Sequence, residues 1–218
     1  MTRILYINPN ATEGMTDAIV TTARAALPGV EVAGVTNRDG PPAIEGAEDG
    51  EAAIPGVLAR VREARADAIV IACFDDTGLA EARAAAPCPV LGIGQASYVM
   101  SGLLGLRFSV VTSVAAAIPV IRGNIDRNGF SGTCASVRAS GLAVLAIDEG
   151  SEATRVHLAD AFLRARNEDG AEAVVLGCAG MTGLRDDLAA RTGITLIDGV
   201  AASAHLALAA ARYGGAAS

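Results

Sequence analysis

Short, continuously apolar runs alternate with longer alanine-rich stretches along the whole chain. The apolar runs predict strands at 4–8, 31–35, 68–72, 90–92, 108–112, 135–138, 173–177 and 195–198. The stretches between them predict helices near 13–26, 49–65, 78–86, 95–105, 115–128, 152–169, 181–192 and 200–212. Because the strands are apolar on both faces, they are typical of parallel sheets covered by helices on both sides. The alternation predicts right-handed βαβ units and an α/β fold.

The chain contains an internal repeat at an offset of 105 residues. The run AIVIAC at 68–73 aligns with AVVLGC at 173–178, and TGL at 77–79 aligns with TGL at 182–184. The whole span 68–79 has six identities in twelve positions. The same offset carries the strand 4–8 onto 109–113. We therefore predict two similar parallel-sheet domains related by a pseudo-two-fold axis. Residues 1–93 with 200–218 form the first domain, and residues 94–199 form the second.

A cysteine follows the third predicted strand of each half, namely Cys73 and Cys178. Ligands on open parallel sheets bind beyond the carboxyl ends of the strands. Two halves that face each other would bring both thiols to one cleft from opposite sides. The alternative is that both cysteines are small buried residues that end a strand. Cys88 and Cys134 have no counterpart in the repeat, and we interpret them as incidental thiols.

The amino-acid composition excludes several types of catalysis and argues against several types of partner. None of the 218 residues is a lysine, which excludes a Schiff base, a catalytic lysine and a P-loop lysine. The histidines His157 and His205 are too few for a multi-histidine metal site, so no metal or cofactor is expected. A formal charge of −7 argues against nucleic-acid and membrane partners. The chain shows no signal peptide or membrane span, and we expect a cytoplasmic protein with free thiols.

Two opposed thiols suit proton transfer to and from the two faces of one carbon. A thiolate acts as a base only when its pKa is low enough. A following helix N-terminus lowers the pKa, whereas Asp75 and Asp76 raise that of Cys73, and the sequence leaves the balance open. Both histidines fall within predicted helices far from the cysteines, so a cysteine–histidine nucleophile is not indicated. Cofactor-free racemisation or epimerisation is the natural candidate.

The motifs resemble those of the aspartate/glutamate/hydantoin racemase superfamily, and most closely its hydantoin racemase branch. The segments that carry this resemblance are INPN at 7–10 with Thr12, IEG at 44–46, ACFDDTGL at 72–79, FSVVT at 108–112 and VLGCAGM at 175–181. The resemblance implies two flavodoxin-like domains with the substrate in the cleft between them, and an isomerase whose acid/base residues are Cys73 and Cys178. It further implies a substrate site lined by Asn10, Ile44, Phe74, Thr112, Ala179 and Gly180.

The residues themselves favour a neutral ring as the substrate. No cationic side chain directly follows either cysteine to hold a free carboxylate. Asn10 and backbone N–H groups would hold the carbonyls of a 5-monosubstituted hydantoin, and Asp75 would accept its ring N–H. Allantoin is the second candidate, followed by aspartate or glutamate. A single-cysteine decarboxylase, a cis–trans isomerase and a two-lobed binding protein remain alternatives from other classes. A homo-oligomer is also expected.

Several of these residues have a second, purely structural interpretation. The run from Asn8 to Thr12 is good turn and helix-start chemistry without any ligand. For the run DDTG at 75–78, and for Asp76 in particular, the structural alternative to a role in the site is a solvated turn and helix N-cap. Thr77 and Thr182, which match across the repeat, are interpreted as helix caps in preference to site hydroxyls.

Overall fold

The protein, in a computed structural model that describes residues 2–215, follows the predicted alternation of strands and helices. The strands in this part of the chain are β1 (Arg3–Asn8), β2 (Glu31–Thr36), β3 (Ala68–Ile71), β4 (Val90–Gly92), β5 (Phe108–Thr112), β6 (Cys134–Ala139), β7 (Ala173–Gly177) and β8 (Thr195–Ile197). The α-helices are α1 (Glu13–Ala26), α2 (Ala47–Glu63), α3 (Leu79–Ala85), α4 (Ile93–Leu103), α5 (Ile118–Arg127), α6 (Val144–Glu149), α7 (Glu152–Asp169), α8 (Arg185–Thr192) and α9 (Gly199–Gly215).

The strands form two separate four-stranded sheets with the same topology. Their orders are β2-β1-β3-β4 and β6-β5-β7-β8, and every pairing is parallel. The offset of 105 residues carries the starts of β1, β3 and β4 onto those of β5, β7 and β8. The predicted α/β fold with two similar parallel-sheet halves is therefore confirmed.

Apolar packing joins the two halves. The strands β3, β5 and β7 are buried along their whole length, as continuous apolar runs predict. The largest hydrophobic cluster contains residues of both halves, among them Ile4 and Tyr6 from β1 and Leu176 from β7. The C-terminal helix α9 returns to the first sheet, where the Tyr6 hydroxyl donates to the Val200 carbonyl at 3.1 Å. The cleft region is thus built on a shared core.

The domain boundaries stay a prediction. The return of α9 to β1 and β3 supports the assignment of 200–218 to the first domain with 1–93. Helix α4, at the start of the proposed second domain 94–199, contacts both α9 and α5. Residue 1 and residues 216–218 of the proposed first domain lie outside the described residues.

Three local features differ from the prediction. Helix α6 was not predicted, because six residues are too few to show a helical period. The segments Ala115–Ala117 and Ala179–Leu184 are 3-10 helices, whereas the sequence predicted α-helix over 115–128 and 181–192. Short 3-10 segments are common at the starts of α-helices, and Ala179–Leu184 leads directly into α8.

No helix within residues 2–215 combines the length and the apolar character that a membrane crossing requires. Leu103 and Leu104, at the end of α4, are 69% and 53% exposed. The expected homo-oligomer stays a prediction.

Replacing Gly177 by alanine is expected to lower the free energy of unfolding by about 1–3 kcal/mol. A Cβ atom there would lie 2.6 Å from the Val111 carbonyl oxygen and 2.8 Å from the Thr112 Cα, so β5 and β7 would have to separate. Gly183→Ala is the matched control, because its Cβ would meet nothing within 4 Å. Urea unfolding of both variants measures the difference. Equal stabilities would show that the sheet edge accommodates the methyl group.

Candidate active site

Two matching turns hold the cysteines at the carboxyl ends of the central strands. Cys73 follows β3, and the Asp76 N–H donates to its carbonyl at 3.0 Å. Cys178 follows β7, and the Met181 N–H donates to its carbonyl at the same distance, 3.0 Å. The sequence repeat therefore corresponds to the same backbone hydrogen bond in both halves. Each of these turns places one thiol at the end of its sheet.

Both cysteines line one cavity, which we call the thiol cavity. Together with its mouth, which opens to solvent, it encloses about 370 Å³, and it is formed by both halves of the chain. Its lining residues are Asn10, Met15, Ile44, Ala72, Cys73, Phe74, Asp75, Thr112, Ser113, Ala117, Val144, Gly177, Cys178 and Ala179. The structure thus brings together residues that lie far apart in the sequence.

All but one of the site residues expected from the sequence lie at this cavity. The exception is Gly180, which is not among the lining residues; its backbone N–H instead donates to the Cys178 sulfur. The sequence did not indicate the remaining lining residues, which are Met15, Ala72, Ser113, Ala117, Val144 and Gly177. Ala72 and Gly177 directly precede the two cysteines, so the repeat could have identified them, whereas nothing in the sequence points to Met15 or Val144.

Asn10 takes part in the local turn and also lines the thiol cavity. Its side-chain oxygen accepts from the Asn8 amide at 2.9 Å and from the Thr12 N–H at 3.0 Å, as turn chemistry requires. Its side-chain nitrogen then lies 3.3 Å from the Met15 sulfur, a weak acceptor on the cavity wall. An amide N–H is therefore available at the cavity for a stronger acceptor.

Burial dominates the electrostatics of both thiols. It raises the pKa of Cys73 well above its usual range, and the nearby Asp75 carboxylate raises it further. Burial likewise raises the pKa of Cys178 to about 12, although the Gly180 N–H opposes this shift. Both cysteines are consequently neutral thiols in the resting site, and proton transfer requires groups that stabilise a thiolate.

The two aspartates after Cys73 differ in their surroundings. Asp75 is half-buried at the thiol cavity, and burial raises its pKa to about 7. Asp76 is 8% exposed and accepts from the Gly94 N–H at 2.9 Å and the Gln95 N–H at 2.8 Å. Asp76 therefore binds the first N–H groups of the distant helix α4, and its interpretation as a solvated turn and N-cap of the helix that follows it was wrong.

The two threonines of the repeat are also unequal. Thr182 donates to the buried Asp198 carboxylate at 2.5 Å. The Thr77 hydroxyl is buried and has no hydrogen-bond partner among the described residues. No threonine side chain caps α3 or α8, so the interpretation of Thr77 and Thr182 as caps of those helices was wrong.

A contact between the halves closes one side of the thiol cavity. The Glu45 carboxylate accepts from the Val144 N–H, the first residue of α6, at 2.7 Å. Ile44 and Val144 both line the cavity beside this contact. The loop before α2 thus crosses to the second half and covers this side of the thiol cavity.

The remaining candidate groups lie elsewhere. His157 Nε2 lies 2.7 Å from the Ser140 carbonyl oxygen, and neither His157 nor His205 lines the thiol cavity. All four cysteines are free, and Cys88 and Cys134 are not among the lining residues. Within residues 2–215, no group of three or more His, Cys, Asp or Glu side chains is arranged to hold a metal ion.

Two similar parallel-sheet halves that present paired cysteines at one cavity are typical of racemases, and comparison with known proteins supports this class. The sequence model of the Asp/Glu/Hydantoin racemase family matches residues 4–207. The chain therefore belongs to the Asp/Glu/hydantoin racemase family and is an isomerase. The resemblance drawn from the motifs is thereby confirmed.

Individual relatives share most of their length with this chain. Hydantoin racemase of Rhizobium meliloti is 41% identical over 208 residues, which cover 94% of this chain and 86% of that protein. Allantoin racemase from Klebsiella pneumoniae superposes with a TM-score of 0.92 at 38% identity, covering 98% of this chain and 89% of that one. Allantoin racemase from Pseudomonas fluorescens superposes with a TM-score of 0.93 at 35% identity, covering 98% and 92%.

Proposed function

We propose that the protein interconverts the D and L forms of 5-monosubstituted hydantoins by cofactor-independent, two-base proton transfer at C5. The observation that carries this proposal is the thiol cavity, where Cys73 and Cys178 are supplied by equivalent turns of two similar sheets. Such a placement offers one acid/base group to each face of a bound planar intermediate.

The reaction needs only the two sulfurs and the substrate. One thiolate removes the C5 proton, and the electron pair of the C–H bond forms the C4–C5 double bond of an enolate with its charge on the C4 oxygen. The opposite thiol then gives its proton to the other face of C5 and becomes the thiolate. Each turnover inverts the carbon centre and exchanges the protonation states of Cys73 and Cys178.

The lining favours a neutral ring over a free amino acid. No arginine or histidine side chain is among the described residues of the thiol cavity, so nothing there offers a cation to an α-carboxylate. The Asn10 amide nitrogen, which faces only the Met15 sulfur, is placed to donate to a ring carbonyl. Asp75 can accept from a ring N–H. The Thr112 hydroxyl already donates to the Gly177 carbonyl at 2.9 Å, which leaves it an acceptor for the substrate.

Allantoin is a second candidate, and one feature of the site favours it. Asp75 also lines a second, larger cavity, which we call the outer cavity and which encloses about 1160 Å³ together with its solvent-open mouth. Arg127 and Asn124 contribute to its wall. A ureido substituent extending from C5 past Asp75 would find both donors and acceptors there, whereas an alkyl substituent would instead favour the apolar wall formed by Ile44 and Val144.

Decay of circular dichroism on a small substrate panel tests the proposal. We expect the fastest decay with 5-alkylhydantoins, slower decay with allantoin, and none with aspartate or glutamate. The reverse order for the first two would favour allantoin as the substrate. Racemisation of the free amino acids would contradict the assignment of a neutral ring. Release of CO2 from a malonate-type substrate without racemisation would identify a decarboxylase.

A further inference from the structure

The hydroxyl of Thr77 is a buried polar group without a partner. Thr77 is 6% exposed, and its Oγ1 makes no hydrogen bond to any described residue. A buried hydroxyl without a partner costs free energy, and native proteins retain few of them. Its place in the turn that carries Cys73 suggests what the hydroxyl is for.

The repeat explains why this hydroxyl is free. In the second half, the matching Thr182 donates to Asp198. The position 105 residues before Asp198 is Ile93, whose side chain accepts no hydrogen bond. The Asp76 carboxylate, another acceptor in the same turn, is already engaged by the Gly94 and Gln95 N–H groups. The first half has therefore lost the acceptor that its threonine would otherwise use.

Another acceptor beside this hydroxyl is the sulfur of Cys73, in the same turn. The Thr77 hydroxyl lies close enough to that sulfur to lower the pKa of the thiol, together with the Asp75 N–H. A neutral thiol is a weak acceptor, whereas a thiolate is a strong one. A hydroxyl that is unpartnered beside the thiol is thus preorganised for the thiolate.

We propose that Thr77 is a positioning residue for Cys73, whose hydroxyl donates a hydrogen bond to the sulfur when the thiol loses its proton. The two thiolates are then stabilised by different donors. The Thr77 side chain donates to the sulfur of Cys73, whereas a backbone N–H, that of Gly180, donates to the sulfur of Cys178. The titratable groups that face Cys73 are Asp75 and Cys178, and both oppose its ionisation. The role assigned to the thiolate rests on the proposed two-base function.

Alkylation by iodoacetamide tests the hydrogen bond without any substrate. Cleavage after arginine places each cysteine on its own peptide, namely 66–83, 84–107, 128–138 and 167–185, so mass spectrometry follows the four rates separately. In Thr77→Val, alkylation of Cys73 should slow about tenfold at a given pH, because a hydrogen bond to a charged group is worth about one pKa unit. The rate at Cys178 should not change.

Conservative variants separate positioning from packing. Thr77→Ser keeps the hydroxyl and should restore the rate at Cys73, whereas Thr77→Ala should behave like Thr77→Val. An unchanged rate in Thr77→Val, or equal slowing in Thr77→Ser, would overturn the proposal. Equal changes at Cys73 and Cys178 would also overturn it, because they indicate a general change in the cavity. Since no turnover is measured, this result is independent of whether Cys73 and Cys178 racemise a substrate.

Discussion

Cys73→Ser and Cys178→Ser should each lower the rate of racemisation by about 10³-fold, within the range for loss of a general acid or base. The serine hydroxyl is a far weaker acid than a thiol, and burial at the thiol cavity raises its pKa further. The variants should nevertheless remain active in one respect. The surviving thiolate can still remove the C5 proton of one enantiomer and return a deuteron from D2O to the same face.

The two variants should therefore exchange opposite enantiomers without inverting them. Proton NMR in D2O on separate D and L samples of a 5-alkylhydantoin measures the exchange, and circular dichroism measures inversion. Cys88→Ser is the matched control, because Cys88 is a free thiol outside the thiol cavity, and it should retain both activities. Exchange of the same enantiomer by both variants would contradict the opposed arrangement of the two bases.

The sequence predicted the fold and the meeting of the two cysteines at one cavity, because both follow from the internal repeat. An offset of 105 residues relates strand to strand, and it places Cys73 and Cys178 at equivalent positions of the two halves. The same offset cannot report on contacts between the halves. The hydrogen bond from Val144 to Glu45 joins residues 99 positions apart, and it involves a helix too short to leave a periodic pattern. Met15 and Val144 therefore became site residues only in the folded chain.

The direction in which the surroundings shift the pKa of the cysteines could not be predicted from the sequence. A helix dipole was one of two opposing effects that the sequence left open. Helix α3 begins six residues after Cys73, and Cys178 is followed by a 3-10 segment, so neither thiol lies against the start of a long helix. Burial instead raises the pKa of both thiols, and the charge of Asp75 raises these pKa values further. The Asp76 carboxylate is hydrogen-bonded to N–H groups at the start of α4. Only three-dimensional packing reveals which of the two carboxylates faces the sulfur.

The Asp75 carboxylate should accordingly control how both thiols respond to pH. Its negative charge opposes formation of either thiolate, so Asp75→Asn should lower the pKa of Cys73 and of Cys178. Because the pKa of Asp75 is about 7, the native carboxyl is protonated well below pH 7 and carries no charge to remove. The substitution should therefore have little effect at low pH and an effect that grows as the pH rises through 7.

At pH 9, alkylation of Cys73 and Cys178 should be roughly tenfold faster in Asp75→Asn than in the native protein, which corresponds to about one pKa unit. At pH 5.5 the rates should coincide. Asp160→Asn is the charge-matched control, since it removes one exposed carboxylate on α7 and should leave both rates unchanged. Slower alkylation in Asp75→Asn would show that the carboxylate activates the thiols. A difference of the same size at pH 5.5 and pH 9 would instead show that the substitution acts through the shape of the thiol cavity, because an effect of charge must follow the titration of Asp75.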